Sequence, residues 1–175
     1  CCAPGSCDPA PAGSEQPGTF ARMPNRRSSI TMTPEEVSAY LEEQRVLNVA
    51  TIGPTGHPHV VAMWYVMLDG APTFWTFAKS QKVLNIRRDP KITGLVESGE
   101  TYDELRGVEL VGTARLIEDF EAVRDIGIRV STKYSGPPSD AALSFIEQQA
   151  RKRVGVAIDV ERVVSWDHTK LGRGD

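Results

Sequence analysis

Cysteine is missing from nearly all of this sequence, because Cys1, Cys2 and Cys7 are its only cysteines. A fold built on disulfides or on a cysteine-ligated zinc ion is therefore excluded. A protein whose main body carries no cysteine is typical of a reducing compartment, so we expect a cytoplasmic location.

Long apolar runs and a strong excess of one charge are also missing. No apolar run approaches the roughly 18–20 residues that a membrane-spanning helix requires. The net charge of −3 offers no broad basic surface for a nucleic acid. With 40% hydrophobic and 25% charged residues in a chain of 175, the composition is that of one globular domain. We expect neither a membrane nor a nucleic acid as a partner.

The chain divides into a tail and one domain. Residues 1–31 are rich in Pro, Gly, Ser and Ala and lack hydrophobic periodicity, which predicts a disordered tail. The domain spans residues 32–175 and begins with Thr33-Pro34-Glu35-Glu36. This motif is a capping box with proline at the first helical position, and it predicts a helix to about Gln44.

Periodicity and turn signals predict six strands and three further helices. The predicted strands are residues 46–52, 59–68, 73–77, 91–97, 107–117 and 154–164. The further helices are predicted between Ser80 and Pro90, over residues 119–134 and over residues 141–151. Hairpin-length connections such as Asp69-Gly70 favour antiparallel pairing. The fold class is therefore α+β, mainly β, with an antiparallel six-stranded barrel flanked by helices.

The strand at residues 73–77 leads directly into a short helix that begins after Ser80. A helix N-terminus presents backbone N–H groups and the positive end of the helix dipole. Ser80 adds a hydroxyl there, Lys79 and Lys82 add cations, and Arg87 and Arg88 follow. This combination suits a phosphate group, although the same charges are also compatible with a solvated helix face. His57 and His59 have no identifiable third partner, so no metal site is predicted.

Three motifs together resemble a known family. They are Gly56-x-Pro58 before a long strand, Ser80-x-Lys82-x-x-Asn85-Ile86-x-x-Asp89-Pro90, and Gly107-Val108-Glu109-Leu110-Val111-Gly112-Thr113-Ala114. In order and spacing they resemble the pyridoxamine 5'-phosphate oxidase-like superfamily over about residues 35–166. The resemblance implies an FMN-binding split β-barrel. Within it, the chain is most similar to the actinobacterial flavin/deazaflavin oxidoreductases, many of which use coenzyme F420.

The resemblance also implies a homodimer with two cofactor sites at the subunit interface. It assigns the cofactor phosphate to Lys82 and Ser80, with Lys79, Gln81 and Arg87 in reach of anionic groups. It assigns the cofactor ring and its side chain to His59, Val60, Ala62, Trp64, Trp75 and Thr76. In relatives the C-terminal segment of the partner closes the pocket, which implies Trp166 or Lys170 there.

The chain departs from true pyridoxamine 5'-phosphate oxidases at two places. Gln81 stands where those enzymes carry an arginine, and their C-terminal Arg-x-His substrate motif is missing. Synthesis of pyridoxal phosphate is therefore not expected. We predict instead an F420-dependent oxidoreductase that transfers hydride to a small unsaturated or conjugated substrate, with no catalytic side chain assigned. The alternatives are an FMN-dependent oxidoreductase of the same fold and a non-catalytic flavin- or haem-binding protein.

Overall fold

The computed structural model of the protein describes residues 26–172. Most of the predicted tail therefore lies outside the described residues. Helix α1 (Arg26–Ile30) occupies its end, where the sequence predicted no regular structure. Helix α2 (Pro34–Glu43) begins with the predicted capping box. The Thr33 amide donates to Glu36 Oε2 at 2.7 Å, and the Glu36 amide donates to Thr33 Oγ1 at 3.3 Å.

One antiparallel sheet of seven strands forms the body of the molecule, in the order β2-β1-β5-β6-β7-β4-β3. The strands are β1 (Leu47–Ile52), β2 (Pro58–Met63), β3 (Val66–Leu68), β4 (Ala71–Phe77), β5 (Lys91–Ser98), β6 (Arg106–Ile117) and β7 (Arg153–Asp167). The remaining helices are α3 (Gln81–Arg88), α4 (Phe120–Ser135) and α5 (Asp140–Ala150), with 3₁₀ turns at Tyr102–Glu104 and His168–Leu171. None of the helices in residues 26–172 is long and apolar enough to cross a membrane.

The count of six strands is wrong by one, because the predicted strand 59–68 is two strands. Its first part, β2, pairs with β1, and its second part, β3, pairs with β4. Only Trp64 and Tyr65 separate them, so the two edge strands of the sheet are consecutive in the chain and the sheet curls into a split barrel. A run of strand-forming residues does not reveal such a bend, because both halves keep the same side-chain preferences.

The break between β2 and β3 is held from outside by helix α4. The Tyr65 amide donates to Tyr134 Oη at 2.9 Å, and the rings of Trp64 and Tyr134 stack with centroids 4.5 Å apart. The Tyr65 amide has no strand partner at this break, and the Tyr134 hydroxyl accepts its hydrogen bond instead. The corner of the barrel therefore depends on a residue about seventy positions away in the chain.

Large apolar side chains fill the inside of the barrel. Leu47, Val49, Phe74, Val156 and Ile158 are each fully buried. The second half of β7 behaves differently, since residues 159–164 are exposed. The interior is thus a packed core and not a channel, and a binding site must lie on the outside or at an end of the barrel.

Helix α3 is fixed against β1 by a buried amide. Asn85 has no exposed surface, and its Nδ2 donates to Thr51 Oγ1 at 3.0 Å. Its Oδ1 accepts from Gln81 Nε2 at 2.8 Å. A buried amide with both ends bonded fixes position more narrowly than apolar packing does. This anchor places the first turn of α3 beside the end of β4.

Candidate functional site

A cluster of polar groups lies where β4 runs into α3. Lys82 Nζ donates to Thr76 Oγ1 at 3.0 Å, and Thr76 Oγ1 lies 3.5 Å from Ser80 Oγ. Ser80 occupies the N-cap position of α3, yet its hydroxyl makes no capping hydrogen bond. We call Thr76, Ser80 and Lys82 the α3 cluster. It combines two hydroxyls and an ammonium group at a helix N-terminus, as the sequence predicted.

Two partly buried cations, Lys82 of the α3 cluster and the nearby Arg153, give this region a positive charge. Burial lowers the pKa of Lys82, and the nearby charge of Arg153 lowers it further. Burial also lowers the pKa of Arg153. Within residues 26–172 neither cation forms a salt bridge. Two partly buried cations without an acidic partner favour a bound anion, because a negative charge would offset the cost of burying them.

Arg153 belongs to the candidate site, and sequence reasoning missed it. It stands opposite Phe77 in the β4–β7 register, and its guanidinium lies 4.3 Å from the Phe77 ring centroid and 4.5 Å from that of Trp75. Its Nε is buried and has no hydrogen-bond partner. Nothing in the sequence marked this residue, because only the pairing of β4 with β7 brings it to the α3 cluster.

Arg153 also borders a cavity of about 380 Å³ beneath α4 and α5, which we call the aromatic cavity. The residues that line it are Met63, Trp64, Trp75, Gly127, Val130, Ser131, Ser135, Ala142, Phe145, Ile146 and Arg153. Trp64 and Phe145 are 57% and 60% exposed, although both are large and apolar. The Trp75 ring packs against Gly127 so closely that a Cβ atom at Gly127 would lie 2.8 Å from the ring. The predicted residues Trp64 and Trp75 thus meet in one place.

Two other predicted residues meet on the outer face of the sheet. Val60 and Trp166 line a separate groove of about 480 Å³, together with Asn48, Ala50, Thr93, Leu95 and Glu109. Val60, Ala62 and Trp64 are all exposed and occupy alternate positions, so they share one side of the chain. The row connects this groove with the aromatic cavity. His59 lies on the opposite side of β2 and is half-buried.

Three predicted phosphate residues do not join the α3 cluster. Arg87 pairs with Glu118, with a nitrogen–oxygen distance of 2.7 Å. Gln81 is exposed and bonds to Asn85 instead. Lys79 is exposed in the turn before Ser80. The sequence spacing predicted that these residues lie near the N-terminus of α3. In the structure, their side chains bond to other residues or face solvent.

The curled antiparallel sheet and its flanking helices place this fold in the class of split β-barrels. This class includes flavin-binding proteins. The chain belongs to the pyridoxamine 5'-phosphate oxidase family, whose sequence model matches residues 33–167. This confirms the family and the fold class that the sequence motifs predicted.

The relatives are consistent with that assignment. The conserved hypothetical protein Rv2991 from Mycobacterium tuberculosis is 44% identical, with a TM-score of 0.80 over 85% of this chain and 93% of that one. The F420H(2)-dependent biliverdin reductase of Mycobacterium tuberculosis (strain CDC 1551 / Oshkosh) is 27% identical over 77% of this chain and 96% of its own length. A structure described as an F420 reductase is 24% identical, with a TM-score of 0.58 over 75% of this chain and 98% of that one, and it shows the fold alone. Together, family and relatives support an oxidoreductase with a flavin-type or F420 cofactor.

Proposed function

We propose that this protein is an F420-dependent oxidoreductase that transfers hydride from the reduced deazaflavin to a small unsaturated or conjugated substrate. The main support is the α3 cluster, where Lys82 has no acidic partner among residues 26–172 and lies near Arg153, which borders the aromatic cavity. The similarity to an F420H(2)-dependent reductase supports the choice of cofactor.

The residues of the site fit the anionic part of such a cofactor. The ammonium of Lys82 offers hydrogen-bond donors for phosphate oxygens, and Ser80 adds a hydroxyl that makes no capping hydrogen bond. A deazaflavin carries an oligoglutamate tail in addition to its phosphate. A site with several cations, including the exposed Lys79, suits that tail better than it suits the single phosphate of FMN.

When bound, the cofactor would supply the hydride. The protein would orient the cofactor, balance its negative charge and exclude water from its ring. Lys82 and Ser80 would hold the phosphate. The row formed by Val60, Ala62 and Trp64 would receive the flat ring. None of the residues that line the aromatic cavity is an acid or a histidine. The proton that accompanies the hydride would therefore come from water at the open side of the cavity.

A homodimer would complete this site. The outer face of the sheet exposes apolar side chains, with Val60 and Val164 at 60% and 38% exposure. Exposed apolar side chains on the same face of a sheet are typical of a surface that a partner covers. A second copy of the chain would cover Val60 and thereby enclose the cofactor ring. Sedimentation at micromolar concentration would reveal a species of twice the 19.2 kDa chain mass; a monomer would contradict the shared site.

Titration of the purified protein with F420, FMN and haem tests the proposal. Tryptophan fluorescence should be quenched by F420 at lower concentration than by FMN, because Trp64 and Trp75 lie at the site. We expect Lys82→Ala to weaken F420 binding at least about tenfold, as loss of a hydrogen bond to a charged group does. Lys152→Ala removes an exposed lysine and serves as the matched control.

Each ligand has a distinct consequence for the proposal. Tighter binding of FMN would favour the FMN-dependent alternative, and tight binding of haem would favour a non-catalytic role. Equal losses in Lys82→Ala and Lys152→Ala would remove the α3 cluster from the site. Oxidation of reduced F420 in the presence of enones or quinones would then establish turnover.

A further inference from the structure

We infer that the aromatic cavity binds the substrate and selects a planar aromatic molecule of about two fused rings that carries one carboxylate. The assignment rests on the proposed function, since it treats the cavity as the substrate's part of the site. It adds the chemical class of the substrate and names Arg153 as the residue that selects it.

The walls of the cavity are aromatic and held in place before any ligand arrives. Trp64 stacks on Tyr134 with an interplanar angle of 14°, and Tyr134 is itself bonded to the backbone of Tyr65. Trp75 lies between the Arg153 guanidinium and the face of α4 at Gly127. Rings fixed by such contacts lose little freedom when a flat ligand stacks on them. The walls therefore favour a planar molecule over a flexible chain.

The size and polarity of the cavity narrow the choice further. A volume of about 380 Å³ is near the lower end of the roughly 300–1,000 Å³ of small-molecule sites, so it suits two fused rings and not an extended chain. Phe145 remains 60% exposed at its edge, where a ligand would cover it. Apart from the indole N–H groups of Trp64 and Trp75, the lining has polar side chains only at Ser131, Ser135 and Arg153. The ligand is thus mainly apolar.

Arg153 supplies the one charge among the lining residues. Its guanidinium carbon lies over the Trp75 and Phe77 rings, and such cation–π contacts do not use the N–H groups as hydrogen-bond donors. No acid of residues 26–172 forms an ion pair with it. Because its Nε is buried, its terminal nitrogens are the donors that a ligand would reach. A planar carboxylate accepts two parallel hydrogen bonds from such a group. We therefore assign the ligand's carboxylate to Arg153.

Calorimetry with 2-naphthoate and its uncharged analogue 2-naphthamide tests this assignment on the full chain. Naphthoate should bind about tenfold more tightly than naphthamide, as a hydrogen-bonded charge predicts. In Arg153→Gln the two affinities should become equal. Ala142→Phe should bind neither ligand, because the new ring fills the cavity. Ala141→Phe is the matched control: it adds the same ring at an exposed neighbour on α5 and should leave both affinities unchanged. Should Ala142→Phe fail to fold, Ser135→Phe fills the cavity from an exposed position on α4.

The outcome separates this inference from the proposed function. Lys82→Ala should bind F420 more weakly and naphthoate as tightly as the wild type does. Ala142→Phe should bind naphthoate more weakly and F420 as tightly as the wild type does. If no cofactor binds the wild type but naphthoate does, the proposed cofactor fails while the cavity assignment stands. Equal affinity for the two naphthalene ligands, unchanged binding in the filled variant, or displacement of naphthoate by F420 would each overturn the assignment.

Discussion

The two ends of helix α3 carry the same kind of charge and use it in opposite ways. At the N-terminal end, Lys82 is half-buried, has no acidic partner in residues 26–172, and donates to a threonine hydroxyl. At the C-terminal end, Arg87 pairs with Glu118, and Arg88 donates to the carbonyl oxygen of Ile52. Cations at a helix C-terminus also complement the helix dipole. A cation indicates a binding site here only where the protein leaves it without a partner and buries part of it.

Asn85→Ala should have the largest effect, because Asn85 anchors α3 to β1. We expect the free energy of unfolding to fall by about 2 kcal/mol, since a buried donor and acceptor are lost. Urea unfolding measures this change. Gln81→Ala removes one donor to the same amide, but Arg88 Nη2 lies 3.5 Å from Asn85 Oδ1 and can replace it, so the loss should be about 0.5–1 kcal/mol. Similar losses in the two variants would show that the anchor is not Asn85.

The affinity for the anionic cofactor should fall as the pH rises through the lowered pKa of Lys82. Only the protonated amine attracts phosphate, so affinity decreases about tenfold per pH unit above that pKa. Because burial and Arg153 lower the pKa, the decrease should start at a lower pH than for an ordinary lysine. Lys82→Arg should remove it, since guanidinium stays protonated. Fluorescence titrations between about pH 7 and pH 10 would measure this dependence of affinity on pH. If affinity falls equally with pH in Lys82→Arg and in the wild type, Lys82 is not the titrating group.

Thr76→Val should weaken cofactor binding modestly. Valine keeps the shape of threonine and removes the oxygen that orients the Lys82 amine. We expect a loss of about 1 kcal/mol in binding free energy, typical of one hydrogen bond. Thr73→Val, at a buried position of the same strand, should leave binding unchanged because Thr73 bonds only locally to Ala71. Parallel calorimetric titrations of the two variants distinguish loss of orientation from general damage to β4.

Arg87→Ala should have the smallest effect. Its ion pair with Glu118 is about half exposed on both sides, and such surface pairs contribute about 0–1 kcal/mol. We expect unchanged F420 affinity and a change in thermal midpoint near the limit of detection. A loss of affinity as large as that of Lys82→Ala would show that both ends of α3 contact the cofactor, as the resemblance alone implied.

Local signals in the sequence were sufficient for most of the elements. The capping box at Thr33, the hairpin at Asp69-Gly70 and the helix stop at Pro90 each act within a few residues, and the structure contains all three. The break at Trp64 and Tyr65 could not be predicted, because its cause is Tyr134 on a distant helix. The same limit applies to Arg153, whose place depends on the register of β7 against β4.

The sequence by itself determined the family, the split barrel, and a cation and two hydroxyls at the start of α3, because each depends on motifs and short spacings. Tertiary structure alone decided which cations lack a partner, since an ion pair such as Arg87 with Glu118 joins residues 31 positions apart. It also decided that Trp64, Trp75 and Arg153 border one cavity. That arrangement requires the barrel to bend at Tyr65 and α4 to pack across β4, and both depend on contacts between distant parts of the chain.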